Sequence, residues 1–264
     1  DEVYLTLDAE ASVSHRGGLL RRKPRRIMKI GVGLLAILTV SQRRAVVAHE
    51  CGHFHPGDKR SGFSTYIFVL ADTVFNAIGM YFTRIPFGTP AKVMVILTAN
   101  TWRNAGYDAD RLAASFYGRD VHADALRKIA GMSPAFPVFW ELAHEIVVEG
   151  FRPPVTAGFG HYIENHSNAY DETLAERMEI TRTEQFDTHP PLRDRLMAIG
   201  DPEPTNLSGE AAIHLIDDLS SVEDGLIRQL PVRTNEPDLV PVAWEDVEVT
   251  VMVPKYREIL LDNS

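Results

Sequence analysis

Residues 45–58 read AVVAHECGHFHPGD. At the centre of this stretch His49, Glu50 and His53 form an H-E-x-x-H pattern. In a helix, side chains four residues apart share one face, so both histidines can reach a single metal ion. Imidazole nitrogen suits zinc, and Glu50 stands beside the first ligand, where a carboxylate can take a proton from metal-activated water. The flanks predict the helix this chemistry requires. Ser41 is a suitable N-cap. Ala45, Val46, Val47 and Ala48 supply an apolar surface, and Cys51 and Gly52 fit tight packing. His55-Pro56-Gly57-Asp58 is a stop, because proline cannot continue a helix and glycine favours its C-terminal end.

Working outward, the chain has 264 residues, of which 45% are hydrophobic and 24% charged, which excludes global disorder and leaves ample material for a core. Its single cysteine excludes an internal disulfide and a cysteine-based structural zinc site, and permits a reducing, cytosol-facing environment. The net charge of −9 is unevenly spread. Residues 1–60 carry 11 Lys/Arg against 6 Asp/Glu, whereas residues 201–264 carry 4 against 14. The basic cluster Arg21, Arg22, Lys23, Arg25 and Arg26 is short, has no interleaved aromatics and sits in an acidic chain, so nucleic-acid binding is not expected. Clusters of this size do suit an anionic membrane surface.

The remaining pattern predicts an α+β, predominantly helical fold. Residues 3–7 read as a strand, and residues 27–38 as an apolar strand with a following turn. Residues 63–102 are the most apolar stretch and read as a helical hairpin divided by Pro86 and Pro90. Uncharged runs there, such as Thr73–Thr83, are 11 residues or shorter. A helix that spans a bilayer needs about 20. Helices are expected over 107–130, 138–149, 169–185 and 189–199. An amphipathic helix is expected over 208–229, where Ala212, Leu215, Leu219, Val222 and Leu226 recur at steps of three and four. The loose alternation of residues 239–253 reads as strand.

Three runs in order carry a family resemblance: AVVAHECGHFHPGD at 45–58, DADRLAASFYG at 108–118 and DTHPPLRDRL at 187–196. Together with the hairpin between the first two, they resemble the membrane-associated zinc metallopeptidases of the HtpX and CAAX prenyl protease family, over about residues 3–200. The resemblance implies a zincin-type domain with a small sheet beside the H-E-x-x-H helix, occupying 1–200, followed by an acidic extension at 201–264. It implies one zinc ion held by His49 and His53, with Glu50 as general base. His189, in the His-Pro run, would assist the substrate carbonyl or the developing oxyanion, with Arg193 one turn away. Residues 28–38 would offer a strand edge to an extended substrate.

In that family a glutamate four residues before Asp110 is the third ligand, and Asp110 itself would support a ligand histidine. Here that position is Gly106. Asp110 shares the helical face of position 106 and is the first candidate to complete the metal site; Asp108 is the second, and water the third. The expected activity is hydrolysis of unfolded or membrane-associated polypeptides. The alternative is a catalytically impaired pseudo-peptidase that binds polypeptide or metal. The expected setting is a membrane surface facing the cytosol, with this chain, which starts at Asp1, a soluble fragment of a longer membrane protein.

Overall fold

Gly31 closes a strand and opens a helix, and this junction sets the first layer of the fold. A computed structural model of the chain describes residues 2–16, 25–53, 88–180, 189–205, 207–230 and 238–262. It is mostly helical with small sheets. The strands β1 (Glu2–Thr6), β2 (Ala11–Arg16) and β3 (Arg25–Gly31) form one sheet in the order β1-β3-β2. β1 runs parallel to β3, pairing Val3 with Met28, and β2 runs antiparallel, pairing Val13 with Met28. β3 is therefore the central strand. Both of its edges are taken, which corrects the expectation that this segment offers an edge to substrate.

The second half of the expected strand is also helical. α1 (Val32–Ile37) buries Val32, Gly33, Leu34, Leu35 and Ile37. A β-carbon at Gly33 would lie 2.7 Å from Phe136 and 2.8 Å from Ala9, so only glycine lets these elements approach so closely. α2 follows at Val40–Gly52 where the metal-motif helix was expected, but Ser41 lies inside it, and Thr39, whose hydroxyl accepts from the Gln42 N–H at 3.3 Å, takes the capping role. The long α3 (Gly88–Tyr117) and α4 (Arg119–Met132) replace the single helix expected over 107–130. The break is Gly118, with φ of +89°, a left-handed conformation that glycine adopts without penalty. Then come α5 (Phe136–Val148), the short β4 (Phe151–Arg152), α6 (Val155–Asn165), α7 (Ser167–Glu179), α8 (Leu192–Ala198), α9 (Leu219–Ile227), the short β5 (Val240–Pro241) and α10 (Val253–Asp262).

The chain packs as two compact units, each assembled from separated segments. One comprises Asp1–Arg43, Lys128–Thr173 and Ser208–Ser264; the other comprises Arg44–Arg127 and Leu174–Leu207. In the first unit the core is aromatic. Phe136, Phe139 and Phe159 meet with ring centroids 4.9 to 5.9 Å apart, and Trp244 lies 5.3 Å from Phe139. Residues 208–264 belong to this unit, so they share a packing unit with the N-terminal sheet. Buried Glu223 of α9 accepts hydrogen bonds from the Thr156 backbone N–H and hydroxyl, satisfying a donor in the first turn of α6.

Two further readings are corrected in this unit. The helix expected over 208–229 is split into a 3-10 turn at Ala212–Leu215 and α9. Asp218 accepts a hydrogen bond from the Ser221 N–H at 3.0 Å and starts a new helix there. Residues 239–253 form strand only at β5. A strand would put Val247, Val249 and Val251 on one face, yet Val247 and Val251 are buried while Val249 is 73% exposed. That is helical spacing, and residues 244–252 accordingly form a 3-10 turn and a π-helical turn. Val242, Val247 and Val251 cluster with Ile146.

In the second unit α2 and α3 cross closely. A β-carbon at Gly52 would stand 3.0 Å from both the Cα and Cβ of Ala109. α3 also packs against α8. Among the described residues no helix is long and apolar enough to cross a membrane. Most of the expected hairpin at 63–102, the Pro56-Gly57 stop and most of the basic cluster lie outside the described residues.

Candidate metal centre

The site lies within the second unit and draws on four helices. From the end of α2, His49 and His53 turn toward one another, with Nε2 atoms 3.3 Å apart and ring centroids 5.0 Å apart in an edge arrangement. Two zinc–nitrogen bonds of about 2.0–2.1 Å at a tetrahedral angle place their nitrogens about 3.3 Å apart. The pair therefore fits zinc as it stands. His49 is buried, and burial lowers its pKa to about 4 despite the opposing pull of Asp110. Near neutral pH its ring is uncharged, which is the form that ligates metal.

Asp110, from α3, is fully buried and collects donors from three directions. Its Oδ1 lies 2.8 Å from His49 Nδ1, 2.9 Å from His122 Nε2 and 2.7 Å from an Arg195 terminal nitrogen. Its Oδ2 accepts from Arg195 Nε at 2.9 Å. The His49 contact is close, but the ring N–H points off the oxygen. Burial alone would raise the Asp110 pKa. The hydrogen bonds from Arg195 and His122, with the close His49 ring beside them, override it and hold the carboxyl far below the usual carboxylate range. Because His49 meets Asp110 through Nδ1, its Nε2 is left toward His53. His49, Asp110 and His122 also lie close enough together, with ligand atoms within 4.8 Å of one another, to count as a metal-holding group. Both histidines of that trio, however, direct nitrogens at the same carboxylate oxygen.

Glu50 is buried beside His49, and burial raises its pKa to about 7; the charge on Arg195 works against that rise and Asp110 adds to it. A carboxyl poised there exchanges protons readily at neutral pH. His189 brings the third ring. Its centroid lies 6.1 Å from that of His49 and 6.3 Å from that of His53. His189 is exposed as a whole residue, yet the protein around its ring and the charge on Arg195 lower its pKa.

The other sequence expectations resolve as follows. Asp108 is 78% exposed and pairs with Arg111 at 2.9 Å, so its carboxylate belongs to the solvent face of α3 and not to this site. Cys51 is exposed, which corrects its assignment to helix packing. Arg193 is exposed, and the arginine of that run that reaches the site is Arg195, two residues later. Gly106 is buried, and a β-carbon there would stand 3.3 Å from Pro190. Sequence reasoning missed His122 and Arg195. For Arg195 the signal was its place between buried Leu192 and Leu196, close to the expected His-Pro run. For His122 no local spacing pointed to Asp110, twelve residues earlier.

Comparison with known families supplies the context. The family model of Peptidase family M48 matches residues 18–203, well over half of the chain, and the chain belongs to that family. No curated protein and no solved structure matches it.

Proposed function

We propose that this member of Peptidase family M48 is a zinc-dependent endopeptidase acting on unfolded or membrane-associated polypeptides. The observation that carries the reading is the His49–His53 pair, whose Nε2 atoms stand 3.3 Å apart beside a buried glutamate of raised pKa. Bound zinc would supply Lewis acidity to the scissile carbonyl and to the attacking water. His49 and His53 hold the ion. Glu50 accepts the proton of the attacking water and delivers it to the departing amine nitrogen. Asp110 was expected to complete the metal site, but both of its oxygens are engaged by donors. It acts instead as a positioning residue that fixes the ring of His49 through Nδ1. Contact with a membrane surface through residues 16–29 is part of this proposal and rests on the sequence alone.

The test is metal content together with hydrolysis of an unfolded protein such as casein. One zinc per chain and activity abolished by Glu50→Gln with zinc retained are expected. Failure of the wild-type chain to take up zinc overturns the proposal. A second reading, the pseudo-peptidase, is favoured by Gly106, which brings no donor to the site. It predicts polypeptide or metal binding with no hydrolysis by the wild-type chain.

A further inference from the structure

We infer that His189 is the third zinc ligand of this chain, making a three-histidine centre with His49 and His53. The inference rests on the zinc reading proposed above and concerns how its coordination is completed. Three observations carry it.

First, the ring of His189 stands almost equally far from the two rings of the motif, at 6.1 and 6.3 Å, so it lies beside both. Imidazoles that share one tetrahedral zinc through nitrogens at about 2.0–2.1 Å have ring centroids about 5 Å apart. His49 and His53 already meet that distance, at 5.0 Å. His189 is not among the residues whose ligand atoms already lie within 4.8 Å of one another, so it joins the pair by moving inward and turning its ring toward them.

Second, the backbone that presents His189 is held close by Gly106. Pro190 packs tightly on Gly106, with its Cδ 3.3 Å from where a β-carbon at 106 would stand. A bulkier residue there would push the His-Pro segment away from α3. Pro190 and Pro191 also restrict the chain on the C-terminal side of His189, since a residue before proline is confined to extended conformations. One position thus withholds a ligand and admits another.

Third, the carboxylates nearest in sequence are committed elsewhere. Asp110 is saturated by Arg195, His122 and His49, and Asp108 pairs with Arg111 in solvent. Three protein nitrogens would leave a fourth position open, as a catalytic zinc requires.

The experiment uses the full chain loaded with one equivalent of zinc, and in parallel with cobalt(II). X-ray absorption counts imidazole ligands, visible absorption of the cobalt form reports coordination geometry, and competition with a chelator gives affinity. Three imidazoles are expected in the wild-type chain and two in His189→Ala. The variant's affinity should fall by more than the about 10–100-fold that loss of an outer-sphere partner costs. Gly106→Glu added to His189→Ala should recover part of that affinity. Two imidazoles in the wild type, or an unchanged affinity and cobalt spectrum in His189→Ala with hydrolysis alone reduced, overturns the inference and leaves His189 acting on substrate, with the zinc peptidase reading intact. A wild-type chain that takes up no metal removes both. The imidazole count on the wild type needs no variant, so the inference stands or falls even where His189→Ala does not fold.

Discussion

Replacing Asp110 with alanine should destabilise the second unit more than any other single substitution at the site. Asp110 is fully buried, and its two oxygens receive His49, His122 and two nitrogens of Arg195 at 2.7 to 2.9 Å. The Arg195 side chain is only 15% exposed. Truncating one partner of a buried pair leaves the other charge uncompensated, which costs about 3–5 kcal/mol. For a chain of this size each kcal/mol moves the melting temperature by about 2–4 °C, so a drop of about 10 °C is expected. The assay is urea unfolding followed by far-UV circular dichroism with a chelator present, so that metal binding adds nothing. A thermodynamic cycle with Arg195→Met isolates the pair. The double variant removes both charges, so its loss should fall short of the sum of the single losses by about 2 kcal/mol. A loss under about 1 kcal/mol for Asp110→Ala, or additivity within about 0.5 kcal/mol, would refute the reasoning.

Three other outcomes are expected. Stability of the metal-free chain should fall as pH drops. The unfolded chain protonates His49 and His189 below about 6.5, whereas the folded chain resists until about 4 and about 3; Glu50, with a folded pKa of about 7, takes its proton first in the folded chain and offsets one of these losses, so a net loss remains across the window. Below about 4 the unfolded chain also protonates Asp110 while the folded chain keeps it charged, so the loss continues. A urea midpoint that is flat between pH 7 and pH 4, measured at about half-unit steps, contradicts this. Glu223→Ala should cost about 1–3 kcal/mol, because it strips the Thr156 N–H and hydroxyl of their buried acceptor, and a change within measurement error would sink that account. Gly118→Ala should cost about 1–2 kcal/mol through backbone conformation alone, since a β-carbon there meets nothing within 4 Å. A neutral result in thermal melting would show that the α3–α4 break relaxes.

The legible part of the site was the part set by local period. His49 and His53 are four residues apart on one helix, and that spacing alone brings their nitrogens together. The α2 helix followed from its own apolar run. Asp110 was found for a helical-face reason, but its role depends on Arg195, 85 residues later, and His122, on another helix; no periodicity encodes such a meeting. The misread elements share a different cause. Residues 32–37 are apolar and residues 247–251 are rich in β-branched side chains, and both become helical because packing overrides the strand preference. Gly118 and Asp218 cut helices that hydrophobic spacing alone would run through, because a left-handed glycine and a side-chain cap act at single positions.

Asp110 ties the candidate metal site to the packing of the second unit. His49 from α2, His122 from α4 and Arg195 from α8 all converge on a carboxylate from α3, so whatever loosens that carboxylate loosens both folding and coordination. The coupling has a measurable form. Zinc present at 100 times its dissociation constant stabilises a folded site by about 2.7 kcal/mol. If Asp110→Ala weakens binding by about 10–100-fold through the freed ring of His49, the same zinc concentration adds only about 0.4–1.4 kcal/mol. The difference between unfolding curves with and without zinc should therefore shrink in the variant by about 1–2 kcal/mol, beyond the loss already seen in chelator. An equal zinc increment in wild type and variant would mean that His49 needs no help from Asp110 to face the ion, and the carboxylate would then be serving the fold alone.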